Sequence, residues 1–552
     1  MTLKINRRSL LAAMGAGTGM GLAPAAAAAP SLRTARFLHG VASGDPAADG
    51  AVIWTRATVA DGVTGDVPLV WHVAASADGK PVKSGKVIAA AAADNTAKAE
   101  VSGLKPASDY WFWFVCQDGT ASPRGRFRTL PVGRTDDLVL AVVSCQLWSG
   151  GFFNAFADMA ALDRLDAVIH LGDYIYEYGA DGYGAEIGQK IGRIPDPVHE
   201  TVTLDDYRRR HAQAKTDPAL QAAHARAAFI CVWDDHETAN DSWLGGAENH
   251  TPASEGTWAA RKAAALKAWF EWMPIRSPRA GSDPAAIYRS FEFGDLATLA
   301  MVETRLLARS RQIAAKGATP DAAEVAAMLA ARQDPSREML GAGQLQWLKN
   351  TFDASVRAGK PWQLLGNQVI LARVPGPDLR AGLGEEAFAA LLAKLPENYR
   401  ALVAQSQAAF KAGLPFNLDA WDGYPPARER LYAMLREVGA NPLAFAGDSH
   451  AAWANDLHDD AGNRIGAEFG TTAITSPSYG SILPGLGRII AAQSPEVAFC
   501  DQDMKGYTLV TITPDAAVAD FVTVSTVLSP RFTRGIAARC EARRGESLRI
   551  LS

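Results

Sequence analysis

Five apolar runs in this sequence stop abruptly at residues that bind cations or carry protons. The run 138–143 ends in Ser144-Cys145-Gln146, and 167–171 ends in Gly172-Asp173-Tyr174-Ile175-Tyr176-Glu177. Ala228-Phe229-Ile230-Cys231-Val232-Trp233 ends in Asp234-Asp235-His236-Glu237. The run 362–365 ends in Gly366-Asn367-Gln368, and 443–446 ends in Gly447-Asp448-Ser449-His450. A lone Gly-Asp is more often a turn than a ligand. All five endings together, each after a buried-type run, place thiol, phenol, carboxylate, amide and imidazole groups along one edge of a sheet. Sites of open α/β sheets lie at that edge. Converging carboxylates repel one another and take up protons when buried, and bound cations remove that conflict.

Short apolar runs alternating with Ala-rich helical stretches predict layered α/β architecture after about residue 136. The stretches 321–349 and 385–411 read as helical insertions outside the core sheet. Before residue 130 the pattern is different. Val52-Ile53-Trp54-Thr55, Leu69 to Val73, Val82 to Val87 and Tyr110 to Val115 are β-branched and aromatic, with turn residues between them. This predicts a separate, fibronectin-like all-β sandwich over 36–130. The segment 129–133 is its linker to a catalytic domain over 136–552.

At the start, Asn6-Arg7-Arg8-Ser9-Leu10-Leu11 precedes a weakly apolar, Gly-rich stretch and an Ala run from Ala25 to Ala29. This layout predicts a twin-arginine signal peptide over 1–29, with a retained membrane anchor as the alternative. The expected location is periplasmic or extracellular, and the export machinery is then a partner. The chain has 552 residues, with 55 Lys+Arg against 59 Asp+Glu and a net charge of −4. Losing Lys4, Arg7 and Arg8 leaves 52 bases against those 59 acids, a net −7. No basic excess is available for a nucleic-acid partner. A monomer acting on small molecules is expected.

The motifs resemble those of the PhoD-type alkaline phosphatases, within the calcineurin-like metallophosphoesterases and related to the purple acid phosphatases. The resemblance begins at His39-Gly40-Val41-Ala42-Ser43-Gly44-Asp45-Pro46 and Ile53-Trp54-Thr55-Arg56. It continues through the five strand endings to Trp421-Asp422-Gly423-Tyr424. It implies a four-layer α/β metallophosphoesterase sandwich after the β-domain, and hydrolysis of phosphate monoesters, with diesters also possible substrates. It also implies a site holding Fe³⁺ with one or two Ca²⁺. Asp173 would bridge the metals, Cys145, Tyr176 and His450 would complete the iron site, and Asp235, Asn367 and Asp448 would hold calcium. Sulfur and phenolate suit a transition metal, and oxygen ligands suit calcium. Asp448, where a purple-type zinc site has His, turns the second position towards oxygen ligands.

Under this resemblance a metal-bound hydroxide attacks phosphorus in line, and His236 stabilises the transition state or protonates the leaving oxygen. Asp173 and His236 are the catalytic pair. The three aspartates, the thiolate and the phenolate carry five negative charges, which Fe³⁺ and one Ca²⁺ balance. A further cation, a second calcium or an arginine, is then needed to hold the anionic substrate, and Arg305 in Glu303-Thr304-Arg305 is the candidate arginine. A phosphodiesterase or phospholipase D of the same fold is the alternative activity. His170, inside a strand, reads as a core histidine. Asn240 and Asp241 receive no role. Of the remaining cysteines, Cys500 and Cys540 are expected to pair, leaving Cys231 as a free thiol.

Overall fold

The computed structural model describes residues 35–59, 65–315 and 320–551. The expected signal segment, 1–29, lies outside the described residues. Two large sheets form the centre of the molecule. The first has ten strands, in the order Arg549–Leu551, Arg534–Arg543, Ala516–Val524, Gly506–Ile512, Leu138–Val143, Ala167–His170, Phe229–Cys231, Val41–Ala47, Gly50–Arg56 and Thr96–Val101. The second has seven: Arg289–Phe293, Ala297–Met301, Trp362–Gly366, Pro442–Ala446, Arg464–Gly470, Ala452–His458 and Val497–Asp501. Each has a parallel centre. Leu138–Val143, Ala167–His170 and Phe229–Cys231 run parallel in one. Ala297–Met301, Trp362–Gly366, Pro442–Ala446 and Arg464–Gly470 run parallel in the other.

Strands buried on both faces read as unbroken apolar runs rather than alternating ones, as these do. Leu140, Val142 and Ile169 of the first sheet share one core with Leu364, Leu443, Phe445 and Phe469 of the second. Tyr207, Leu220, Ala265 and Trp269 from helices cover the outer face of the first sheet. Leu348, Phe352, Leu431 and Leu435 from the helices Gly341–Arg357 and Pro425–Val438 cover the second, against Leu365 and Ala444. The result is four layers, helix–sheet–sheet–helix, with a β-rich N-terminal region. Of the expected insertions, Ala322–Arg332, Glu385–Lys394 and Glu397–Lys411 are helical, whereas residues 341–349 belong to the helix Gly341–Arg357 that covers the second sheet. Among the described residues, no helix is long and apolar enough to cross a membrane.

The N-terminal strands differ from the expected self-contained sandwich. Pro81–Ala89, Val67–Ala74, Asp109–Cys116 and Gly125–Arg128 form a four-stranded sheet of their own. Val41–Ala47, Gly50–Arg56 and Thr96–Val101 instead extend the catalytic sheet, through parallel pairing of Gly44 with Phe229. A Cβ on Gly44 would lie 2.2 Å from the Pro274 carbonyl oxygen and 2.5 Å from that of Phe229, so only glycine allows the approach. Trp54 Nε1 donates to the Glu271 carbonyl at 2.8 Å across the same junction.

Under that junction lies a lysine, Lys215, only 1% exposed. Its ammonium lies 2.9 Å from Tyr174 Oη and 3.3 Å from His224 Nε2, and 4.7 Å from the centre of the Trp54 ring. Burial pulls its pKa down to about 7.

The expected Cys500–Cys540 disulfide is not formed, and all five cysteines are free thiols. Cys500 lies in the edge strand of the seven-stranded sheet, paired with Trp453, whereas Cys540 pairs with Ala519 and Ile550 in the ten-stranded sheet. Cys231 is a buried thiol.

Candidate metal centre and active site

The loops that follow the parallel strands meet where the two sheets are tied together. Ser144 bridges Ala473, and Thr471 Oγ1 donates to the Val142 carbonyl at 2.9 Å. Cys145, Asp173, Asp448 and His450 all hold left-handed backbones there, with φ of 60°, 57°, 58° and 57°. Such a conformation costs a non-glycine residue about 1–2 kcal/mol and persists where the surrounding structure enforces it.

The enforcement is visible. Cys145 N–H donates to the Gly172 carbonyl at 3.2 Å, and Gln146 N–H to the Asp173 carbonyl at 2.9 Å. Glu237 accepts three backbone N–H groups: Asp173 at 3.0 Å, Tyr174 at 2.6 Å and Asp234 at 2.8 Å. Gly172 lets these loops close, because a Cβ there would lie 2.3 Å from the Asp234 nitrogen.

Three overlapping groups of potential metal ligands result: Cys145, Asp173 and His450; Asp173, Asp235 and His236; and Asp234, Asp235 and Asp448. Within each group the ligand atoms lie within 4.8 Å of one another. Asp173 belongs to the first two, as a bridging carboxylate must. Tyr176 joins the first group, its Oη donating to Asp173 Oδ2 at 2.9 Å and lying 3.3 Å from His450 Nε2. His450 Nδ1 is 2.7 Å from the Pro477 carbonyl, which makes it the protonated nitrogen and leaves Nε2 as the ligand atom. Asn367 stands at the same edge, after the strand beside that of Asp448, with its Oδ1 accepting from Trp421 Nε1 at 3.1 Å.

His236 Nδ1 lies 2.7 Å from Glu177 Oε2, so Nε2 is the nitrogen left for the site. Burial alone would pull the His236 pKa down, but Asp235 and Glu177 hold it well above the usual range.

Arg305 departs from its expected role. It is fully buried, and its guanidinium serves carboxylates rather than facing a substrate. Its Nε bonds Asp234, Nη1 lies 2.9 Å from Asp419 Oδ1, and Nη2 lies 3.0 Å from Asp448. Asp419 is also bonded by Arg309 Nη2 and lies 2.8 Å from Gln312 Nε2. The expected charge balance had left out Asp234 and Asp419. These two carboxylates are answered by two guanidiniums, Arg305 and Arg309.

The electrostatics of the bare groups show what they lack. Burial pushes Cys145, Asp173, Tyr176 and Asp448 well above their ordinary pKa values, with the Asp173 carboxylate adding to the effect at Cys145 and Tyr176. Burial pushes Asp234 up to about 6. At Asp235, Arg305 and His236 outweigh burial and hold it down at about 2. Asp173 Oδ1 and Asp235 Oδ1 are buried without a hydrogen bond. Such orphaned oxygens, beside a thiol and a phenol that only a displacing cation would deprotonate, fit a pair of bound metal ions.

Sequence reasoning gave no role to several residues that shape this edge. Glu177 and Glu237 close two of the quoted motifs and orient His236 and the loop backbones. Trp421 holds Asn367. Asp241 donates its N–H to Asp235 Oδ2 at 2.6 Å, and burial pushes its carboxyl up to about 8. Asp419 carries no local signal at all. His170 is a satisfied core histidine, 3.1 Å from Gln146 Oε1.

Two facing α/β sheets deliver these groups to one shared edge of a layered α/β fold. The chain belongs to the PhoD-like phosphatase family, whose model matches residues 140–521, while the model of that family's N-terminal domain matches residues 22–131. Alkaline phosphatase D of Bacillus subtilis (strain 168) is 32% identical over 521 residues, covering 91% of this chain and 80% of that protein. The solved structure described as "Structure of PhoD" superposes with a TM-score of 0.78 at 31% identity, over 95% of this chain and 94% of its own.

Proposed function

We propose that this phosphatase is an exported, metal-dependent alkaline phosphatase that releases inorganic phosphate from organic phosphate monoesters, with diesters as further substrates. The observation that carries the reading is the overlap of the ligand groups through Asp173. Cys145, Tyr176, His450 and Asp173 offer a site for Fe³⁺. Asp235, Asn367 and Asp448, with Asp173 between, offer one for Ca²⁺. Cations bound there would supply Lewis-acid charge for the phosphoryl oxygens and a water of lowered pKa.

The chain's own groups do the rest. Glu177 fixes His236 with its proton on Nδ1 and leaves Nε2 turned to the site. In its protonated form His236 would donate from Nε2 to a phosphoryl oxygen or to the departing alcohol. Arg305 holds Asp234 and Asp448 in place from behind the site. The Arg7-Arg8 pair ahead of an apolar stretch supports export.

Elemental analysis of protein purified without chelators tests the reading. Iron and calcium are expected, and Cys145→Ala is expected to lose iron and activity together. Full activity in protein containing neither metal overturns it.

A further inference from the structure

We infer that Ser476 is a positioning residue of the iron site, whose hydroxyl donates to the Tyr176 oxygen and so keeps that ligand a weaker donor to the metal. The inference rests on the iron reading above and adds what tunes it. A sixth strand ends at the edge where the ligands meet. Arg464–Gly470 runs parallel beside Pro442–Ala446, the strand that precedes Asp448 and His450. The chain then continues as Thr471-Thr472-Ala473-Ile474-Thr475-Ser476-Pro477-Ser478, which offers hydroxyls in place of acids or imidazoles.

This segment touches three of the four side chains assigned to iron. The Thr475 and Ser476 N–H groups both donate to the Cys145 carbonyl, at 3.3 Å each. The Pro477 carbonyl meets His450 Nδ1 at 2.7 Å and accepts from Tyr183 Oη at 2.6 Å. Ser476 is fully buried, with its Oγ 2.6 Å from Tyr176 Oη and 2.9 Å from the Cys145 carbonyl. A hydroxyl has one proton for these two acceptors. The Tyr176 proton itself goes to Asp173 Oδ2 at 2.9 Å. A cation between those two oxygens would replace that proton and leave Tyr176 as a phenolate. The Cys145 carbonyl is neutral and already has two N–H donors, so the charged oxygen would take the Ser476 proton. Among the described residues, the other groups within hydrogen-bond distance of Tyr176 Oη are Asp173 and His450 Nε2, which are assigned to the metal themselves. Ser476 is the donor left to it. Hydrogen bonds to ligand atoms set how strongly those atoms donate to a metal. A phenolate that shares its charge with Ser476 leaves the iron more of its own charge for the phosphoryl oxygens.

Visible absorption of the metal-loaded enzyme tests the inference, because ferric iron on a phenolate has a charge-transfer band that starts at the phenolate oxygen. Ser476→Ala is expected to move that band to longer wavelength and to lower the reduction potential of the iron. Tyr183→Phe removes a different bond to the same segment, at Pro477, and is expected to leave the band in place. An unmoved band in Ser476→Ala overturns the inference. A band moved equally in Tyr183→Phe also overturns it, since a loosened segment would then be the cause. Wild type gives a second readout that needs no variant. Its phenolate C–O stretch, followed by resonance Raman, should shift between light and heavy water if a hydroxyl proton is bonded to that oxygen, and no shift overturns the inference. Wild type that holds no iron and shows no band refutes the iron reading and this inference with it. An unmoved band in iron-containing Ser476→Ala refutes the role of Ser476 alone.

Discussion

Replacing Lys215 by Met should make the protein more stable at neutral pH and remove a specific part of its pH dependence. The ammonium sits under the junction of the N-terminal strands and the catalytic sheet, against Tyr174, His224 and Trp54. Burial lowers its pKa from 10.5 to about 7. The unfolded chain therefore holds a proton between pH 7 and 10.5 that the native state has released. Stability must rise with pH across that window and be lowest below it. The shift from 10.5 to about 7 amounts to ~5 kcal/mol at 1.36 kcal/mol per pH unit. Met matches the stem of lysine and carries no charge, but it forfeits the bond to Tyr174, about 1 kcal/mol.

The other groups around the amine do not titrate in this window. Burial pulls His39, His170 and His211 down to about 3 and His224 well below its usual range, and pushes Cys231 up to about 12 and Tyr174 above its usual range. Urea unfolding of wild type and Lys215→Met at pH 7 and pH 10 isolates the lysine. The stability advantage of the variant should shrink by roughly 3–4 kcal/mol between those two pH values. An advantage that stays constant with pH would refute the reasoning.

Glu237→Gln keeps the shape of the side chain but turns one acceptor into a donor facing the Asp173, Tyr174 and Asp234 N–H groups. A loss of about 2–3 kcal/mol in unfolding free energy is expected, read by denaturant titration. Gly44→Val should separate the N-terminal strands from Phe229. Its effect should appear as a lowered Tm and faster proteolysis at the junction, of at least the ~1–3 kcal/mol typical of overpacking. Peptide mapping under non-reducing conditions should recover Cys500 and Cys540 in separate, unlinked peptides.

The polar residues at strand ends were legible because an apolar run and its abrupt stop are both local features. Cys145, Asp173, Asp235, Asp448 and His450 are thus placed at one edge by the sequence pattern. The helical insertions were legible from composition for the same reason. What escaped depended on distant partners. Arg305 reads as a free cation in sequence, and only the fold shows its donors shared among Asp234, Asp419 and Asp448. Asp419 reaches the site from beyond a helical insertion, so no spacing announces it. Cys500 and Cys540 are close in the chain and lie in different sheets. The sandwich was read as self-contained because strand patterns do not say which neighbour a strand chooses. That choice turned on the close approach at Gly44.

The ten-stranded sheet also has a consequence for how the chain is made. Its central strands, between residues 138 and 231, are flanked by strands from residues 41–101 on one side and 506–551 on the other. A nascent chain that has emerged only as far as residue 231 has one flank in place and a bare Leu138–Val143 edge on the other. That edge waits for Gly506–Ile512, synthesised some 270 residues later. Pairing across such a separation makes folding slow, and the open edge is a template for wrong partners in the meantime. Completion of this sheet therefore falls late in synthesis, after nearly the whole polypeptide is available. A fragment beginning at the apparent domain boundary near residue 136 would expose the opposite edge, Phe229–Cys231, for good.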